Sequence, residues 1–282
     1  MPNIYFFLFE LIVYILFALC FHHAFKHGIS NLLKLAFGIL FGVMLELATI
    51  RQLNAYEYGH FLLMVLDVPL CIGVAWSCII YASMEFSDAS SLPYFLRPVL
   101  DGLLALNIDL ALDAVAIRFG FWDWGQGLKT QYFGVPFANF WAWFWVVFSF
   151  SLGYRVLARN TNWVGLWLSA PFAFLVGLAG VLGTNAVIVF VVPASIRPIV
   201  IFITLIAATL LVLSKRPKFY LRPVHPIAFW VPFLFHIYIL IAGMISGVIF
   251  DPVILFVVGL LMLAISYYLH GRTAQKLFSF SK

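Results

Sequence analysis

The sequence predicts an all-α, polytopic transmembrane helical bundle of about nine spans, and three observations support this prediction. Of the 282 residues, 65% are hydrophobic and only 10% are charged, whereas roughly a quarter are charged in soluble domains. The apolar residues form runs of about twenty, the length that a helix needs to cross roughly 30 Å of hydrocarbon. The runs do not alternate as the strands of a transmembrane barrel do, and a helix satisfies its own backbone groups in lipid.

The apolar runs define the spans in order along the chain. The first four are 4–21, 31–50, 59–84 and 93–117, and the last five are 139–158, 163–191, 194–214, 226–249 and 252–270. Pro193 separates the sixth span from the seventh; if this proline instead kinks one helix, eight spans remain. No internal repeat, low-complexity segment or long linker divides the chain, so we expect residues 1–282 to form a single transmembrane domain.

Basic residues predict the orientation, because positively charged loops remain in the cytoplasm. With nine spans, one side receives Lys26, Lys34, Arg97, Arg155, Arg159, Lys215, Arg216, Lys218, Arg222, Arg272, Lys276 and Lys282. The other side receives only Arg51, Arg118, Lys129 and Arg197. We therefore expect the N-terminus outside and the C-terminus in the cytoplasm, in the cell membrane of a bacterium or archaeon. This asymmetry accounts for the net charge of +5, which predicts no nucleic-acid partner.

Acidic residues inside the predicted spans are candidates for function, because ionisable groups within a membrane face the protein interior. They are Glu46, Asp67, Asp101, Asp109 and Asp113. Helical rise places all of them except Asp101 roughly 6 to 12 Å below the outer ends of their spans. Asp109 and Asp113 are one turn apart, and Asp101 shares their face of the helix. We expect Glu46, Asp109 and Asp113 to converge on one cavity; the structural alternative is ion pairing with Arg51, Arg97 and Arg118.

An aromatic segment, residues 119–145, lies on the outer side of this acidic layer. Its candidate binding residues are Trp122, Trp124, Tyr132, Asn139 and Trp143, and the neighbouring outer loop adds Tyr56. Tryptophan and tyrosine at a membrane surface commonly form only an aromatic belt. Gly134, Pro136 and Asn139 add specific backbone and hydrogen-bonding geometry beside the rings, which favours a binding site.

These motifs resemble the membrane carotenoid-biosynthesis family of the CruF type. The resemblance covers roughly residues 37–154 and rests on Glu46, Val68-Pro69, the spacing from Trp76 to Tyr81, Asp109-x3-Asp113, Gly120-x-Trp122-x-Trp124 and Gly134-x-Pro136-x2-Asn139. Ala114 departs from the family pattern, in which proline more often follows the aspartate. The resemblance implies a cofactor-free hydratase (a lyase) that adds water to the terminal double bond of an acyclic carotenoid or related isoprenoid lipid.

The residue types suit this chemistry independently. Protonation of an unactivated alkene requires a strong acid, and a carboxylic acid buried among like charges can remain protonated near neutral pH. We assign this role to Asp109 or Asp113, with Glu46 as base or water anchor. Trp122, Trp124 and Trp143 would stabilise the carbocation, and Asn139, Tyr56 and Tyr132 would supply hydrogen bonds, with Asp101 also in the substrate site. No metal or other cofactor is expected.

Three other functions compete with this interpretation. The run His22-His23-x3-His27 resembles one box of a di-iron hydroxylase, although such sites need about eight histidines in several boxes, and a histidine cluster at the cytoplasmic surface fits better. Asn107-x-Asp109-x3-Asp113 is similar to a prenyltransferase diphosphate site, but no second acidic motif accompanies it. Acidic pairs in membranes also relay protons or bind cations, so a proton- or cation-coupled transporter, or a non-enzymatic isoprenoid- or lipid-binding protein, remains the alternative. The oligomeric state stays open.

Overall fold

The computed structural model describes residues 3–279, with side chains through residue 273, as a bundle of nine α-helices. Their bounds are α1 Ile4–Lys26, α2 Ile29–Leu53, α3 Leu70–Ser87, α4 Arg97–Ala116, α5 Phe137–Ala158, α6 Trp163–Ala186, α7 Arg197–Ser214, α8 Ile227–Ser246 and α9 Ile254–Ser279. A π-helical turn, Val187–Val191, extends α6. The side chain of Lys276 and the whole of Lys282, both used in the orientation argument, lie outside the described residues. The predicted all-α bundle is confirmed.

Eight of the described helices are long and apolar enough to span a membrane, and α4 is the ninth helix. The three aspartates of α4 reduce its apolar character, yet it still joins opposite ends of the bundle. Before α4, the Ser91 backbone N–H donates to the Lys218 carbonyl (2.8 Å) in the α7–α8 loop. After α4, the Phe121 carbonyl accepts the Gly59 N–H (2.9 Å) from the α2–α3 loop. We call the end that contains Gly59 and Phe121 the outer end, following the predicted orientation.

Two short antiparallel pairs organise the outer loops. Strand β1 (Glu57–Tyr58) pairs with β4 (Trp122–Asp123), and β2 (Met64–Val65) pairs with β3 (Val68–Pro69) in a tight hairpin. The third predicted span is therefore wrong in its first part, since α3 begins only at Leu70. Asp67 lies in the hairpin turn, is largely exposed and pairs with Arg51 at 2.7 Å, so it is not a buried acid of the outer layer.

Helices α2 and α3 touch through their backbones. A Cβ atom added to Gly42 would lie 2.8 Å from the Gly73 Cα, and one added to Gly73 would lie 2.5 Å from the Val43 Cγ2. Small residues allow this close approach between membrane helices. Trp76 of α3 packs beside Gly42, where an added Cβ would lie 2.9 Å from the Trp76 Cβ, and its indole reaches Glu46, one turn further along α2.

Candidate functional site

A cavity of about 430 Å³ opens in the outer part of the bundle. Its walls come from helices α1 to α8 and from the α2–α3, α4–α5 and α6–α7 loops. The volume lies within the range of roughly 300–1,000 Å³ that is typical of small-molecule sites. The lining is mainly apolar, with a few polar side chains that converge from different helices.

Asn139 joins the two aspartates of α4. Its Nδ2 donates to Asp109 Oδ1 (3.0 Å) and to Asp113 Oδ2 (2.6 Å), and all three side chains are buried. Asp113 lines the cavity, whereas Asp109 is not among the lining residues. Within residues 3–273, no lysine, arginine or histidine nitrogen approaches either carboxylate within salt-bridge distance. The site thus holds two adjacent carboxyl groups that share one amide and have no counter-ion in the described protein.

Glu46 lines the same cavity but has different neighbours. The indole Nε1 of Trp76 donates to Oε1 at 2.7 Å, and the Tyr56 hydroxyl donates to Oε2. Burial, and then the charge of Glu46, raises the pKa of the Tyr56 hydroxyl well above its usual range, so this group stays a neutral donor. Hydrogen bonds donated to both oxygens favour the ionised form of a carboxyl group.

Aromatic rings form much of the remaining wall. The β1–β4 register places Tyr58 opposite Trp122, with ring centroids 6.0 Å apart. Tyr56 packs on Trp124 at 4.6 Å. Within the membrane, Trp76 of α3 packs on Trp143 of α5 at 4.4 Å. The cavity therefore presents several π surfaces beside its carboxyl groups.

The 117–136 loop is held over the cavity by a compact turn. Tyr132 and Val135 form an antiparallel bridge around Gly134, whose φ of +99° favours glycine. The Tyr132 hydroxyl donates to the Leu110 carbonyl of α4 at 2.9 Å. Arg118 donates to the carbonyls of Phe133 and Asp251, both at 2.9 Å, and so joins this loop to the α8–α9 loop.

Most of the predicted site residues lie on this cavity. Those that line it are Glu46, Tyr56, Asp113, Trp122, Trp124, Asn139 and Trp143. Asp109 contacts the site through Asn139, and Tyr132 supports the loop from outside the lining. Asp101 lies elsewhere: Ser151 donates to it at 2.5 Å and Arg155 pairs with it at 3.1 Å, near the inner end of α5. Eight residues separate Asp101 from Asp109, or about 12 Å along α4.

Several lining residues are not among the predicted site residues, namely Trp76, Tyr58, Asn185 and Arg197. The sequence does indicate Tyr58, because it lies two residues after Tyr56 and alternate residues of an extended segment share a face. Trp76 lies in an uninterrupted apolar run, where an aromatic residue indicates only packing. Arg197 donates to the Val189 carbonyl at 2.7 Å, and only the fold reveals that this contact caps the π-helical turn beside the cavity.

The histidines considered for a di-iron site lie at the inner end of the bundle. His23 stacks between His27 and His225, with ring centroids 4.0 and 4.1 Å apart, and its Nδ1 lies 2.8 Å from the Tyr81 hydroxyl. Burial, followed by the charges of His27 and other neighbours, lowers the pKa of His225. None of these histidines lines the cavity.

Comparison with known proteins identifies a family. Residues 3–213 match the family described as carotenoid biosynthesis protein, a region that includes residues 37–154 and continues through α7. No curated protein and no solved structure matches the chain. The membrane-spanning helices and the family together give the chain a role in carotenoid biosynthesis, with an isoprenoid lipid as its substrate class. The chain is an integral membrane protein that belongs to the carotenoid biosynthesis family.

Proposed function

We propose that the protein is a hydratase that adds water to the terminal double bond of an acyclic carotenoid or related isoprenoid. The observation that carries this proposal is the pair of buried carboxyl groups, Asp109 and Asp113, bridged by Asn139 at the edge of a cavity walled by aromatic rings. The reaction needs an acid, a shelter for a carbocation and a base for water. The site offers a candidate for each.

The aspartate pair is the candidate acid. Two carboxylates that share one amide, without a cation nearby, repel each other if both are ionised. The pair therefore retains a proton that an isolated carboxyl group would lose near neutral pH, as in other carboxyl dyads. Asp113 lines the cavity, so its oxygen is the one placed to give the proton to an alkene carbon. Asp109 would then resupply the proton across the pair.

The aromatic wall is the candidate shelter for the cation. When the O–H proton forms a C–H bond with one alkene carbon, the electron deficit moves to the neighbouring, fully substituted carbon. Trp76, Trp122, Trp124 and Trp143 line the cavity and offer π faces that attract this charge without attacking it. Such contacts contribute about 0.5–2 kcal/mol each, more where water is excluded.

Glu46 is the candidate base. The Tyr56 hydroxyl and the Trp76 indole donate hydrogen bonds to its two oxygens, and such donors favour the ionised form that a base requires. A water molecule beside Glu46 forms the C–O bond to the cation and gives its proton to the carboxylate. Return of this proton to the aspartate pair completes the cycle. One water is consumed and no electrons are transferred, so the reaction requires neither oxidant nor reductant.

The decisive experiment supplies the membrane-embedded protein with an acyclic carotenoid in ¹⁸O-labelled water. We expect the product to gain one labelled hydroxyl oxygen. Asp109→Asn and Asp113→Asn preserve shape but cannot donate the proton, so at least one should lose activity by about 10²-fold or more. Glu57→Gln makes the same chemical change at an exposed carboxyl group of the α2–α3 loop and should leave the rate unchanged.

Three further outcomes would contradict the proposal. Activity should survive chelators and strict anoxia, and a requirement for oxygen would indicate an oxygenase instead. Movement of protons or cations across vesicles, with no labelled product, would favour the transporter. Full activity in both aspartate variants would show that neither aspartate is the general acid.

A further inference from the structure

The β2–β3 hairpin exposes an unusual run of apolar side chains. Residues 62–66 read Leu-Leu-Met-Val-Leu, and their exposed fractions range from 38% to 76%. Five consecutive apolar side chains facing water would be costly, at about 25 cal/mol for each Å² of exposed apolar surface. The hairpin therefore calls for an apolar environment.

A buried carboxyl group sets the depth of the hairpin. The Leu62 backbone N–H donates to Glu10 Oε1 at 2.6 Å, and Glu10 is only 1% exposed. Glu10 lies six residues after Ile4, or about 9 Å along α1 from its outer end. Phe61 packs beside it against Phe6, with ring centroids 4.7 Å apart. The hairpin thus begins well below the outer end of α1.

The neighbouring surface of α1 faces lipid at the same depth. Phe7, Leu8 and Leu11 flank Glu10 and are 38–45% exposed on a helix that spans the membrane. An unpaired backbone N–H in hydrocarbon costs several kcal/mol, so a strand edge at this depth needs a partner. The Glu10 carboxyl group is that partner, which explains an acidic residue in an otherwise apolar run.

We propose that residues 61–67 form a hairpin embedded in the outer leaflet, whose apolar side chains contact the acyl chains, with Glu10 as its internal anchor. The tip returns to the membrane surface at Asp67, where the ion pair with Arg51 lies near the end of α2. This proposal concerns the lipid contact of the chain and does not depend on the hydratase reaction.

Spin labels test the lipid contact. Labels at Leu63→Cys and Leu66→Cys, in protein reconstituted into phospholipid bilayers, should relax faster with oxygen, which concentrates in hydrocarbon, than with a water-soluble nickel complex. Lys129→Cys, in the exposed part of the 117–136 loop, should show the reverse preference. Cys20, Cys71 and Cys78 are buried, so the unaltered chain gives the background labelling. A nickel preference at the hairpin, or protection from both reagents, would overturn the proposal.

The anchor has its own test, with the label at Leu63→Cys. Glu10→Leu removes the acceptor of the Leu62 N–H and should raise the mobility of the label, whereas Glu10→Gln keeps a carbonyl acceptor and should not. The label at Lys129→Cys reports whether the remaining fold is intact in each variant. Equal label mobility in the Leu and Gln variants would show that Glu10 does not hold the hairpin.

Discussion

Carboxyl groups in the cavity differ in their neighbours and hence in the chemistry open to them. Glu46 accepts hydrogen bonds from Trp76 and Tyr56, whereas Asp109 and Asp113 share the single amide of Asn139. Donors at both oxygens favour a carboxylate, and a crowded pair favours a retained proton. The same side-chain chemistry can therefore act as base on α2 and as acid on α4.

The base assignment predicts an effect of Glu46→Gln. This change keeps volume but removes the charge that accepts a proton, so we expect kcat to fall by about 10²-fold. Tyr56→Phe removes one of the two donors and should cost less, because Trp76 still holds the carboxylate. Tyr94→Phe deletes a hydroxyl at the inner end of the bundle and is the matched control. A rate for Glu46→Gln equal to that of the unaltered protein would rule out Glu46 as the base.

The aromatic wall predicts a smaller effect of Trp122→Leu. Leucine keeps much of the bulk but removes the π face, and a loss of about 1–2 kcal/mol corresponds to roughly 5- to 30-fold in rate. Trp163→Leu, on the exposed inner end of α6, should leave turnover unchanged. The comparison requires kcat at saturating substrate, because a change confined to KM would indicate packing against the bound chain.

The site residues that sequence reasoning found are those whose type is costly in a membrane. Glu46, Asp109 and Asp113 stand out because an ionisable side chain is rare in an apolar run. Trp76 does not stand out, although it holds Glu46, because indole rings are common in membrane helices. Asp101 shares the helical face of Asp109 but pairs with Arg155, a residue distant in sequence. The position of a residue on a helix predicts the direction of its side chain. Which partner that side chain meets depends on how the helices pack.

At the scale of the elements, α4 carries acids with separate environments at its two ends. Near the outer end, Asp113 lines the cavity and Asp109 is joined to it through Asn139. Near the inner end, Asp101 pairs with Arg155 and accepts a hydrogen bond from Ser151. Arg155 also pairs with Asp88 at the end of α3, so one guanidinium group joins α3, α4 and α5. This inner cluster fixes the helix whose outer end carries the proposed acid.

Arg155→Leu should therefore destabilise the protein. It leaves the fully buried Asp101 without its cation, and breaking a buried pair from one side costs about 3–5 kcal/mol. The additional change Asp101→Leu should restore part of that stability, because the uncompensated carboxyl group is removed. Thermal unfolding in detergent measures both variants. Equal melting temperatures for the single variant and the unaltered protein would show that the pair does not stabilise the bundle.

Hydropathy located the helices well and failed at one element. The run 59–84 is mainly apolar and contains one acidic residue, Asp67, so it satisfies the length and composition of a span. The structure divides it into a hairpin and α3, since Leu66 adopts a φ of 56° and Val68-Pro69 pairs back on the preceding strand. An apolar hairpin and an apolar helix have the same hydropathy, and hydrogen bonds to other segments decide between them.

At the scale of the whole molecule, the alternating loops predict a topology. The nine described helices place the 117–136 loop and the C-terminal end of α9 at opposite ends of the bundle. Because basic residues concentrate at the end opposite the cavity, we expect a reporter fused after Lys282 to be active in the cytoplasm. A reporter inserted at Gln126, in the exposed part of the loop, should be active only outside. The reverse pattern would place the cavity in the cytoplasmic leaflet instead of the outer leaflet.

The backbone contact between α2 and α3 restricts how this cavity can adapt. At Gly42 and Gly73 even an added Cβ would lie only 2.5–2.8 Å from atoms of the facing helix, so no substitution there can adjust the helix spacing in small steps. The opposite situation holds for α7, whose buried residues are few: Ile201, Leu205 and Val212. We therefore expect differences in substrate width among family members to arise from side chains of α6 and α7, while Glu46 and Trp76 keep a constant separation.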